Sequence, residues 1–216
     1  MKIEYLIIIG LYLAGSSGTA NPQLSSQIDS LSKQSAHELE NLEILMQLGL
    51  ALHDAALDGK KEAVGQGIAV LDRVLKRDSL NVHALVYLGS LYTLKARDAS
   101  MPWSKIKYGK RGFALIDRAV KMQSDDMDIR LTRAINSYMV PDFMGRLATG
   151  LGDFETILAS PDFQQWPAPK RAFVFLNFGK AYEKNKKIEK AREFYRIAFQ
   201  EAPDSNAGRQ AGELLK

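Results

Sequence analysis

The chain contains no cysteine, which excludes disulfides, thiolate metal ligands and cysteine nucleophiles, and leaves an apolar core to hold the fold. Histidine is scarce: His37, His53 and His83 form no HExxH pattern and no close metal-ligand spacing. Asp72, Asp117 and the serines lack a base at a recognisable spacing. Nothing in the sequence pairs Glu43 and Asp54 across a cleft, as glycoside hydrolysis would need. Gly65 and Gly67 are too sparse for a phosphate loop. No catalytic residue, metal or cofactor is assigned on these grounds, and a non-enzymatic role is expected. Surplus charge is small as well, with 29 basic and 25 acidic residues giving +4. That is too little for a nucleic-acid binder, whose affinity rests on dense phosphate neutralisation.

Long hydrophobic runs are missing except at the start. Met1-Lys2, an apolar stretch from Tyr5 to Ala14 and small residues through Gly18-Thr19-Ala20 predict a secretory signal over 1–20, cleaved near Ala20. About ten apolar residues are short for crossing a bilayer of ~30 Å. The expectation is an exported protein, periplasmic or secreted. An uncleaved anchor is the alternative reading. Removing Lys2 and Glu4 leaves the charge balance unchanged. Residues 21–39 read as a helical or extended segment, and 40–216 as one helical domain with a sizeable core.

What the chain does have is a repeat. Phe175, Phe178, Gly179, Tyr182, Ala191, Tyr195, Ala198 and Pro203 follow the register of a helix-turn-helix hairpin. Small residues at Gly179 and Ala191 let two helices approach, aromatic rings supply buried area around them, and Pro203 ends the second helix. One such hairpin cannot bury its own apolar face, so stacked neighbours are required. Small residues in apolar helical surroundings recur upstream at Gly49, Gly89 and Ala134, spaced 40, 45 and 45 residues up to Gly179. Second helices are marked by Gly67, Gly112, Gly152 and Ala191. The surplus over a 34-residue repeat is assigned to loops at 55–61, 97–104 and 141–150, against the short Asn185-Lys186-Lys187 turn of the last hairpin. Ser/Asp clusters at 77–79 and 124–126 suit helix N-caps.

On these residues, roughly 40–205, the chain resembles tetratricopeptide repeat (TPR) proteins. The stretch from Trp103 through Tyr108, Gly112, Arg130 and Arg133 to Pro141-Asp142-Phe143-Met144-Gly145-Arg146 looks like a subset of exported bacterial TPR-like proteins without an assigned activity. The resemblance implies an all-α, TPR-like α-solenoid of about four hairpins with a C-terminal capping helix, and a binding role.

In such folds the first helix of each hairpin lines the concave surface. Projection from the anchors gives Glu43, Met46 and His53; His83, Val86, Ser90 and Thr93; Leu131, Ile135 and Tyr138; and Phe173, Leu176, Lys180 and Lys184. The partner-binding set is His83, Tyr87, Ser90, Tyr138, Lys180 and Lys184, for an envelope protein or peptide; a solvated or covered helix face is the plain alternative. Arg130 and Arg133 share a helix face and, with Arg146, suggest an anion site, hence a second reading as a solute-binding accessory protein with a small-anion pocket near the third repeat. Nearby acids, Asp153 among them, could instead hold these arginines. Trp103, Phe143, Met144 and Trp166 are read as apolar loop contacts. The basic run from Lys105 to Lys121 could meet anionic lipid or cell-wall polymer, or be a solvated face.

Overall fold

The computed structural model describes residues 22–38 and 41–216, which are helical with no strand among them. The signal-type segment lies outside the described residues. Among the described residues ten helices follow one another: α1 (Pro22–His37), α2 (Leu42–Leu57), α3 (Lys61–Arg77), α4 (Val82–Asp98), α5 (Pro102–Met122), α6 (Met127–Met139), α7 (Leu147–Ala159), α8 (Ala168–Lys184), α9 (Ile188–Glu201) and α10 (Asn206–Leu214). Single 3-10 turns stand at Asp142–Met144 and Phe163–Gln165. The chain forms two compact units that divide at Ile129/Arg130.

In the first unit, α2/α3 and α4/α5 are hairpins, and α1 packs on α2 through Leu24 and Leu31. Asn41 and Asn81 begin α2 and α4, their side-chain oxygens accepting from Glu43 and Ile44 N–H and from Ala84 N–H. Of the predicted cap clusters, Asp126 accepts from the Asp128 and Ile129 amides at the start of α6. Asp78 acts one step back, accepting from the side chain of the capping Asn81. Helices α4 and α5 meet at Gly89 and Gly112, where a Cβ on Gly89 would come within 2.7 Å of the Gly112 carbonyl oxygen.

The surplus residues of the long repeats are not in loops, as the spacing suggests, but mostly in the helices. Ala55 and Ala56 extend α2 and are fully buried, so the first connection shrinks to Asp58-Gly59-Lys60. Pro102 opens α5, a 21-residue helix, because its fixed φ and missing N–H suit a first helical position. Trp103 therefore lies in a helical first turn rather than a loop. Of the connections inside hairpins only the third, 140–146, is long, with Gly145 at φ 67 near its end.

The second unit packs α7, α8 and α9 around Phe154, Phe178, Tyr182 and Phe194. Ring centroids stand 5.1 Å apart for Phe154–Phe178, 4.4 Å for Phe178–Phe194 and 5.5 Å for Tyr182–Phe194. Each pair adds ~0.5–1.5 kcal/mol beyond its burial. Gly179 faces the Tyr195 ring and the Ala191 carbonyl as the hairpin register requires. In the third hairpin the close approach belongs to Gly150, opposite the Ala134 carbonyl, and not to Gly152, which faces open space. Helix α10 caps the unit, packing on α8 and α9.

Candidate functional site

Helix periodicity places the first-helix face, but the structure turns it relative to the projection. Met46, Val86, Leu131 and Leu176, three residues before each anchor, are buried in the seams between helices. His53 and Thr93, four residues after, are buried too. The accessible positions in the first unit are six and two residues before the anchors: Glu43 and Gln47 on α2, exposed, and His83 and Tyr87 on α4, half-buried. Sequence projection includes Glu43 and His83, and the partner-binding set adds Tyr87; Gln47 is in neither, because neighbouring-helix contact, not period alone, decides which flank of the stripe stays open.

Ser90 is corrected from a partner contact to a helix rivet. It is 3% exposed, and its hydroxyl is 2.9 Å from Nε2 of His53. The same imidazole stacks edge-on against Tyr87 with centroids 5.1 Å apart, and its Nδ1 lies 3.4 Å from the Asp54 carboxylate. This chain fixes α4 against α2 and orients Tyr87. Burial and the neighbouring Asp54 raise the pKa of Asp58 just beyond. Beside Gln47, α1 adds a shallow groove open to solvent, in which Pro22 and Leu31 lie among Gln23, Ser26, Ser30 and Gln34.

The second-unit residues projected as partner contacts are bonded within the unit, and Asn177, two residues before Gly179, is buried among them. Tyr138 donates to the Asn177 side chain at 2.7 Å, and Asn177 donates in turn to the Phe173 carbonyl. Lys184 donates to the carbonyls of Tyr138 and Val140 at the end of α6, and Asp142 is 3.5 Å away. Lys180 donates to Gln210 of α10 at 3.2 Å, and burial lowers its pKa. Each of these three predicted contacts thus holds an internal bond.

Arg130 and Arg133 do meet an anion, Asp153 of this chain. Arg130 Nη1 donates to Asp153 Oδ1 at 2.9 Å, while Arg133 approaches through Nε and Nη2 at 2.7 Å each. The carboxylate is 2% exposed, so the guanidinium pair is engaged inside the unit. Arg146 occupies the N-cap position of α7. Of the apolar residues read as loop contacts, Phe143 is exposed and Met144 half-buried in the 3-10 turn. Trp166 is half-buried, packed on Phe163 with the Lys170 ammonium 3.5 Å above its ring. Among the described residues no group of three His, Asp or Glu could hold a metal ion.

Tyr195 donates to Glu183 at 2.5 Å, and burial, reinforced by this bond, pushes its pKa well above the ordinary value of 10. Above pH 10 the unfolded phenol ionises while the folded one keeps its proton, so stability present in full below pH 10 is lost as pH rises beyond it. Melting temperatures followed over about pH 9 to 11 should fall more steeply for the wild type than for Tyr195→Phe.

The fold is an all-α helical repeat of the TPR type. No protein-family model matches the chain, and no curated protein sequence does. Among solved structures it is similar to TTC0263, a thermophilic TPR protein of Thermus thermophilus, with a TM-score of 0.73 and 14% identity over 97% of this chain and 96% of that one. YrrB, a TPR protein with an unusual peptide-binding site, gives 0.52 and 20% over 94% and 97%. MamA gives 0.53 and 18% over 83% and 89%.

Proposed function

We propose that the protein is a non-enzymatic interaction adaptor that holds an extended peptide segment of an envelope protein on the first-helix face of its first unit. The observation that carries this reading is the accessible stripe that α2 and α4 share in the first unit. Glu43, Gln47, His83 and Tyr87 reach solvent in the first unit, whereas Asn177 is tied to Tyr138 in the second. The Gln and Ser side chains of α1 beside Gln47 offer both donors and acceptors, which suits a peptide backbone. Tyr87 supplies an aromatic anchor with its orientation set by His53. The peptide-binding site of YrrB, on a similar fold, supports the same class of ligand. The signal-type segment at 1–20 supports an envelope partner.

Selection from a random peptide library against the purified protein tests the reading. Enriched peptides are expected to lose about thirtyfold in affinity on Tyr87→Ala, the effect of an interface hot spot. The melting temperature should fall only modestly, since Tyr87 is half-buried and the His53–Ser90 bond between α2 and α4 remains. Failure to enrich any peptide, or affinities indifferent to Tyr87→Ala and Gln47→Ala alike, would reject it.

A further inference from the structure

Apart from Pro102 at its first position, the start of α5 lacks the polar features of a helix end in water. Its N-cap is Met101, whose side chain makes no capping bond, and its first turn contains no acidic residue to meet the positive end of the helix dipole. Trp103 is 68% exposed, and Met101 and Ile106 are exposed beside it at 49% and 40%. Lys105, Lys107, Lys110 and Arg111 follow, all exposed, with no Asp or Glu between Ala99 and Ile116. Four cations therefore occupy one short segment of a chain whose total net charge is +4. Trp103, Ile106, Lys107 and Lys110 fall at i, i+3, i+4 and i+7, so the indole, the aliphatic side chain and two ammonium groups share one stripe. The buried residues Gly112 and Ile116 lie on the opposite side of the helix, with Phe113 on the flank next to Ile106, and this side packs against α4. Of the acids bordering the segment, Asp98 is bonded by Arg97 at 2.8 Å, a bond that lowers its carboxyl pKa, with Lys61 acting in the same sense. Asp117 lies one turn beyond Phe113 and is half-buried.

We infer that the N-terminal half of α5 is a membrane-surface anchor that docks on anionic phospholipid. Each feature that is unfavourable in water becomes favourable there. Indole partitions to the headgroup layer, the isoleucine and methionine enter the acyl boundary, and the lysines extend their ammonium groups to lipid phosphates. Charge complementarity selects a negatively charged bilayer, and the apolar triad of Met101, Trp103 and Ile106 selects a bilayer over a soluble polyanion. No helix among the described residues is long and apolar enough to cross a membrane, so this contact would be peripheral. The anchor leaves the α2/α4 face of the same unit to its own ligand.

The purified protein carrying Trp166→Phe has Trp103 as its single indole. Vesicles of phosphatidylglycerol mixed with phosphatidylcholine are expected to co-sediment it and shift its emission to the blue, and phosphatidylcholine vesicles are not. Replacing Lys105, Lys107 and Lys110 by Gln should weaken binding roughly fivefold per lysine and flatten its salt dependence. In the native background, Trp103→Ala should weaken binding about tenfold or more with an unchanged melting temperature. No co-sedimentation at low salt overturns the proposal. So does binding without a blue shift, or an equal response to heparin, either of which would make the segment a soluble-polyanion site.

Discussion

Gly89→Ala should cost about 3 kcal/mol, because the added methyl enters a space that backbone already fills. Its Cβ would meet the Gly112 carbonyl oxygen at 2.7 Å and Ile116 Cγ1 at 2.6 Å, and the Ile116 amide is at 3.1 Å. A side chain can swing aside; a carbonyl in the middle of a helix cannot move without its helix. Relief requires α4 and α5 to separate, which would loosen the fully buried Leu88, Leu91 and Ile116 around the crossing. Gly112→Ala meets the reciprocal obstacle, the Gly89 carbonyl oxygen at 2.6 Å, so the double variant should cost less than the two singles added together. Gly152→Ala is the internal control. It lies in α7 with nothing within 4 Å of its Cβ, so it should stabilise by roughly 1 kcal/mol through helix propensity alone. Urea denaturation of the four proteins checks the set, and equal effects at Gly89 and Gly152 would show that the crossing is not close-packed.

These glycines also mark how much of the molecule was legible beforehand. Gly49, Gly89 and Gly179 were found as anchors because close helix crossings demand smallness at a fixed register with apolar neighbours, and that demand is written locally. Gly150 and Gly152 are both small and share Leu151 as an apolar neighbour; what separates them is the position of the Ala134 carbonyl, and that is a tertiary fact. The helix-extending character of Ala55-Ala56-Leu57 and of Pro102 was readable in principle, yet Gly59 and the run RDASMPWS invited loops. Along the accessible stripe, Glu43 and His83 were reachable by counting. Ser90 was misplaced because counting does not reveal that His53, 37 residues earlier, closes over its hydroxyl. Asp153 was visible only as one of several nearby acids, since a contact 20 and 23 residues removed from its arginines has no local signature.

That carboxylate sets the largest polar effect expected in the second unit. Asp153 is almost fully enclosed and takes three charge-assisted hydrogen bonds from two guanidinium groups that are themselves less than a fifth exposed. Asp153→Ala removes the carboxylate that the two guanidinium groups share, and breaking a buried pair in this way costs about 3–5 kcal/mol. Because both arginines keep some access to water, the lower end is expected, and Asp153→Asn, which still accepts one hydrogen bond from each, should cost less. Replacing all three residues by Leu or Met should recover most of the loss, as the desolvation of the charges disappears together with their attraction. The same geometry makes a second, independent readout. With its own carboxylate removed, the Arg130/Arg133 fork becomes a vacated anion site, so acetate or phosphate should raise the melting temperature of Asp153→Ala at constant ionic strength and leave the wild type unmoved. A loss below about 1 kcal/mol would mean that the arginines turn to solvent when released. A wild type that responds to the anions as strongly as the variant would show that the site takes ligands with Asp153 in place.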